Sequence, residues 1–224
     1  MRRDAALLPD QESRVAEGTQ SRLTDLRFRA LLSEAEWAAL PQAVRRRFSK
    51  RLAAGETSVY VGTIRETRLG RIGWLIAQAL RLIGGPLPTA RDAGVSAVVT
   101  VTEEGATGGQ IWTRLYARKH GFPQVIHSAK RFCGRTGLEE YIGYGVGMAL
   151  KVGVSNGALV FRSDGYFLQL FGCRCFLPAW ASPGALSVTH AETGAGEFLF
   201  ALEIVHPRLG ELLSQTATFR EYDA

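Results

Sequence analysis

Tyr144-Gly145-Val146-Gly147-Met148-Ala149-Leu150-Lys151-Val152-Gly153-Val154 is the stretch that decides the fold class. Its even positions, Tyr144, Val146, Met148, Leu150, Val152 and Val154, are large and apolar, and its odd positions are mostly glycine. That period of two predicts a β-strand. Glycines along one face let a strand bend sharply, or let another backbone approach closely. Asn156-Gly157 follows, a two-residue hairpin turn, and residues 158–161 begin the returning strand.

The same alternation spreads outward in both directions. Upstream, residues 58–68, 95–102, 111–118 and 125–132 read as strands, and downstream so do 186–190, 198–206 and 211–219. Helices are confined to the first third. Ser33 with Glu36 forms a capping box for residues 34–40. Pro41 suits the first turn of a second helix reaching about residue 53, on which Val44, Phe48 and Leu52 make a buried stripe. Residues 70–83 form a third helix whose only polar positions, Arg71, Gln78 and Arg81, occupy a narrow arc. Gly84-Gly85-Pro86 ends it. The expected class is α+β and mostly β. A curled antiparallel sheet, half-barrel or barrel-like, carries N-terminal helices and one apolar helix packed in it or over it. Residues 1–27 lack apolar periodicity and read as a disordered tail, leaving 28–224 as a single β-rich domain.

With 224 residues, 46% apolar and 21% charged, the chain can bury a proper core. No apolar run approaches the ~20 residues of a membrane-spanning helix, and no signal-peptide pattern opens the chain. The expected location is the cytoplasm. All but four of the 27 basic residues are arginine, and the net charge is +6. The basic residues are scattered along the chain, and the basic stretch 45–51 of the second helix holds only Phe48, on its apolar side, where single-strand recognition interleaves exposed aromatics, so nucleic acid is an unfavoured partner.

Trp112-Thr113-Arg114, Leu138-Glu139-Glu140 through Leu150, Leu177-Pro178-Ala179-Trp180 with Pro183, and His206-Pro207-Arg208-Leu209-Gly210 occur in an order that resembles one bacterial family, the domain of unknown function 4166. The resemblance spans about residues 28–219. That family also occurs fused behind saccharopine-dehydrogenase-like reductases, which implies service to a reductase or its product and brings no established activity. The present chain departs from the fused form, since no nucleotide-binding domain is read in it. Cys173-Arg174-Cys175 is a further departure.

Histidines come first among residues that could carry chemistry, because their charge changes near neutral pH. His206 shares a phase with Phe198, Phe200, Leu202 and Ile204; His190 with Leu186 and Val188; His127 with Val125 and Ala129. All three are expected to point inward, either as core residues or as catalytic candidates. Arg114, in phase with Trp112 and Tyr116, could clamp an anionic group or lay its stem over the indole. Tyr144 and Trp74, from the 144–154 strand and the 70–83 helix, complete the expected ligand-binding set. Glu139 and Glu140 are neighbours on one strand, point apart, and so make a poor carboxylate pair. Cys173 and Cys175 read as buried or half-buried thiols, since no second ligand pair sits at zinc spacing. Gly143 to Gly147 lacks the spacing of a dinucleotide loop. Neither metal nor cofactor is expected.

Three functions compete at this level. The leading one is a binding module holding a small, mainly apolar molecule in a cupped sheet. The second is a metal-independent isomerase, cyclase or hydrolase that uses inward histidines with Arg114. The third is a docking domain for a separate reductase. Contact of the 70–83 helix with a membrane surface is a further option, not favoured, because a core or lid helix explains its narrow polar arc as well.

Overall fold

A computed structural model describes residues 24–52, 55–171 and 173–222. Eleven strands run through them: β1 (Thr57–Leu69), β2 (Val95–Glu104), β3 (Gly109–Tyr116), β4 (Gln124–Arg131), β5 (Glu139–Gly143), β6 (Val146–Ser155), β7 (Ala158–Leu170), β8 (Cys173–Phe176), β9 (Ala185–Gly194), β10 (Glu197–His206) and β11 (Gly210–Glu221). Every pairing between them is antiparallel. The order is β6-β5-β4-β3-β2-β1-β11-β10-β9-β7, and a further β6–β7 pairing closes ten strands into a barrel with β8 attached outside β7. Closure removes the free edges that would otherwise invite association. Register shifts at Ile64/Glu66, Met148/Leu150 and Ile204/Val205 supply the local bends.

Inward positions follow the alternation. Tyr60, Val99, Trp112, Leu159, Phe161, Phe198, Phe200 and Phe219 are all buried. Outward positions such as Thr63, Thr100, His127, Glu203 and Arg220 are polar, the inverse of a membrane-spanning barrel with its apolar outer band. Among the described residues no helix is long and apolar enough to cross a membrane.

Two helices close one end. α1 (Glu34–Ala39) carries the capping box at Ser33 and Glu36, and α2 (Gln42–Phe48) follows Pro41. α2 stops at Phe48, earlier than its stripe suggested, yet Leu52 is still buried. Phe28 and Phe48 push their rings into the barrel mouth, 6.0 and 5.7 Å from Phe161. The tail expected over residues 1–27 falls on 1–23 outside the described residues, whereas Thr24 bridges to Lys50 and Asp25 is buried.

The apolar helix lies across the opposite mouth. α3 (Arg71–Ala79), continued by a 3₁₀ turn Leu80–Ile83, starts where β1 ends and reaches the β5–β6 turn, where Gly84 and Gly143 meet the backbone of Ile142 and Ile83. It therefore lids the barrel rather than filling it. Gly73 permits this: a Cβ there would stand 2.0 Å from the carbonyl oxygen of Leu212 on β11. The glycines of β6 also have another use than curling around a helix. A Cβ on Gly147 would strike the ring of Phe167, which lies against the outside of the barrel.

Candidate functional site

The interior is apolar except for one charged band. Trp112 and Arg114 on β3, Ser128 and Lys130 on β4, and Glu140 on β5 are successive inward positions on neighbouring strands, with Lys130 directly opposite Glu140. Lys130 Nζ stands 3.1 Å and Arg114 Nη2 3.6 Å from the two Glu140 oxygens. Arg114 also donates to Ser128 Oγ at 3.1 Å, and Lys130 sits 5.0 Å above the Trp112 ring.

Burial alone would push the Glu140 carboxyl up, but the Lys130 ammonium and the Arg114 guanidinium overcome it and hold the group at about 2. Burial pushes Lys130 below the ordinary lysine range, with Glu140 offsetting only part. At neutral pH the carboxylate is ionised and its cations flank it.

Arg47 enters from α2. Its guanidinium lies 3.6 Å over the Phe198 ring and 3.2 Å from a Glu192 oxygen, while Nη1 is buried with no partner. His190 is caged by Phe48, Phe161, Phe198, Phe200 and Trp112, with ring centroids 5.1 to 6.1 Å away. Burial, helped by the Arg47, Lys130 and Arg114 charges, drops its pKa well below the usual histidine value, so it is neutral. Its Nδ1 also lacks a partner. Burial pushes the Tyr166 phenol up to about 12, with a hydrogen bond to the Ser163 hydroxyl offsetting part of the shift, and that hydroxyl accepts from the Leu186 N–H.

Two adjoining cavities meet these groups. One of about 70 Å³ lies under the lid, lined by Arg114, Tyr116, Glu140, Met148, Tyr166 and Phe200 together with Leu80 and Leu87 from the lid segment. A deeper one of about 20 Å³ is lined by Arg47, Trp112, His190 and Phe198 and shares Arg114, Tyr116 and Phe200 with the first.

Of the residues singled out from sequence, Arg114, Trp112, Tyr116 and His190 come together here. The others do not. His127 borders the larger cavity, but its side chain is exposed on the outer wall, Nδ1 3.1 Å from Thr113 Oγ1, because β4 turns Ile126, Ser128 and Lys130 inward instead. His206 is spent on the β10–β11 turn, where its Nδ1 accepts from the Arg208 and Leu209 amides. Tyr144 is an exposed turn residue at φ 50°, outside the strand it was placed in, and Trp74 is half exposed on α3. Lys130, Tyr166 and Arg47 were the residues missed, and Glu140 was weighed only as half of a poor carboxylate pair. Glu139, next to Glu140, does point the opposite way, to Arg174 at 2.5 Å, Tyr141 at 2.9 Å and Cys133 at 3.4 Å on the outer wall. Cys173 and Cys175 are exposed on β8, contrary to the expectation of buried thiols.

A family model described as a domain of unknown function (DUF4166) matches residues 40–219. No curated protein and no solved structure matches the chain.

Proposed function

The chain belongs to the DUF4166 family, and we propose that its barrel is a binding vessel for a small, mainly apolar molecule that carries one anionic or hydrogen-bonding group. The observation that carries this reading is a pair of unpartnered buried polar atoms, Arg47 Nη1 and His190 Nδ1, on side chains that line the deeper cavity. Buried polar atoms ordinarily find partners, so two facing one cavity call for an occupant. The rest of the lining is apolar, which matches the usual build of a ligand site.

Charge points the same way. Arg47, Arg114 and Lys130 face Glu140 and Glu192, leaving the interior one positive charge in excess. An anionic group beside Arg114, which borders both cavities, would cancel it. Size limits the occupant while the lid is shut: the cavity there measures about 70 Å³. A molecule of ligand size needs roughly 300 Å³ or more, so it requires the segment 70–94 to swing outward.

The test is organic extraction of the purified protein with native mass spectrometry, followed by thermal unfolding with decanoate, decanol and decane. A ligand at a hundred times its Kd adds about 2.7 kcal/mol, a rise of roughly 5–10 °C in Tm for a domain of this size. Decanoate should give the largest rise, and Arg114→Gln should weaken it about tenfold. No retained apolar compound and no rise with any of the three probes would overturn the reading.

A further inference from the structure

The lid helix leaves much of its apolar surface uncovered. Gly73 and Ala77 are buried and Ile76 and Leu80 pack partly against the core, yet Ile72, Trp74 and Leu75 remain 43%, 42% and 60% exposed. In the following 3₁₀ turn Leu82 is 85% exposed. An amphipathic helix that only covered a core would keep such large apolar side chains on its buried face.

The asymmetry extends to the whole molecule. Phe122 at the β3–β4 loop is 91% exposed, and Phe171, Trp180 and Leu209 project from three further connections at the same end. Among the described residues every exposed large apolar side chain except Leu26 and Tyr222 lies at this end or within three residues of it along a strand. The connections at this end are also basic, although the exposed Glu66, Glu203 and Glu211 stand on the adjoining strand ends. The connecting segments at this end, 70–94, 117–123, 144–145, 171, 177–184 and 207–209, carry Arg71, Arg81, Arg91, Arg118, Lys119 and Arg208 against Asp92 among the described residues. Arg71, Lys119 and Arg208 are exposed.

We propose that the lidded end of the barrel docks on an anionic lipid bilayer, with α3 and the loop tips seated at the headgroup–acyl boundary. Aromatic and aliphatic tips among cationic side chains are what such an interface binds: apolar area enters the boundary, and each arginine or lysine gains from the anionic leaflet. A protein partner would need a surface of fixed complementary shape, whereas tips from separate loops around a rim suit a fluid one. This inference goes beyond the binding reading and does not depend on it, since docking is read with no ligand present.

The experiment is co-sedimentation and tryptophan fluorescence of the full chain with vesicles of phosphatidylcholine alone or of equal parts phosphatidylcholine and phosphatidylglycerol. Binding is expected on the anionic vesicles and should fall near 1 M salt, where screening length drops to about 3 Å. Brominated lipid should quench fluorescence, and Trp74→Phe with Trp180→Phe should remove most of that quenching. Arg71→Ser with Arg81→Ser should weaken partitioning about fivefold per charge lost, and Leu82→Ser with Phe122→Ser at least about tenfold. Arg29→Ser with Arg46→Ser, at the opposite end, should leave it unchanged, with circular dichroism confirming the fold of each variant. No binding to anionic vesicles would overturn the proposal, as would binding lost only in the opposite-end variant. So would a lipid-free dimer abolished by Leu82→Ser with Phe122→Ser, which would give this surface to a second copy of the chain.

Discussion

Glu140→Gln is the perturbation that tests the interior most directly. The carboxyl sits near 2 instead of the ordinary 4.5, because the Lys130 and Arg114 charges outweigh its burial. A shift of about 2.5 units corresponds to roughly 3 kcal/mol. Removing the carboxylate leaves Lys130 buried 3.1 Å from a neutral amide, and breaking one side of a buried pair costs about 3–5 kcal/mol. Lys130→Met alone should cost less, since Arg114 still faces the carboxylate. The double variant removes the Lys130–Glu140 pair and should recover part of the loss, because apolar replacement of a buried pair is often neutral, while Arg114 is left without its carboxylate. The assay is urea unfolding followed by circular dichroism, with the four proteins forming a double-mutant cycle and a coupling energy of at least about 2 kcal/mol expected. The pH dependence supplies a second reading. A depressed carboxylate stabilises the fold above its unfolded pKa and loses that contribution as pH falls from about 4.5 through about 2. Wild-type stability should drop over that window by about 3 kcal/mol more than that of Glu140→Gln. Additive single losses, together with identical acid limbs, would refute the claim that the two charges act as a pair.

Other outcomes follow from the same physics. His190 is held neutral, so the unfolded chain alone takes up its proton below pH 6.5, and wild-type stability should fall there by up to about 1.4 kcal/mol per pH unit. His190→Phe, sized for the same aromatic cage, should remove that loss, making it about 2 kcal/mol more favourable at pH 5 than at pH 8 in denaturant unfolding. Gly73→Ala places a Cβ on the Leu212 carbonyl, which should cost about 1–3 kcal/mol and speed amide hydrogen exchange across residues 70–94 while leaving β9–β11 protected. Burial and the hydrogen bond to Glu139 push the Cys133 thiol up, so it should be the slowest of the three cysteines with a disulfide reagent at pH 7, and Glu139→Gln should accelerate it.

Most of the barrel wall was legible because its inward faces are apolar. β1, β2, β10 and β11 alternate plainly, and the Asn156-Gly157 turn sits at φ 50° and 73°, as a hairpin of that type requires. β7 runs to Leu170 and not merely to Phe161, and closure depends on its pairing with β9 as well as the hairpin with β6, a pairing that no local pattern encodes. β5 is a five-residue strand with two adjacent glutamates, too short and too charged for a periodicity argument.

The instructive failure is β4. Val125, His127 and Ala129 form its more apolar face by sequence, whereas the structure turns Ile126, Ser128 and Lys130 inward. Phase in a strand is all or nothing: a shift of one residue exchanges the faces completely. What fixes the phase is the neighbouring strand. Trp112 and Tyr116 must face the core, so Arg114 between them does too, and Ile126 and Ser128 pair with Arg114 and Trp112. Carrying the Trp112–Arg114–Tyr116 face across one ladder would therefore have placed Lys130 inside, and one ladder further, Glu140. Patterning misled where the wall departs from an apolar lining, and that departure is the charged band beside the cavities. The mismatch between local pattern and observed phase is thus itself a marker of the site, since natural chains break the burial rule where an interior has to do more than pack.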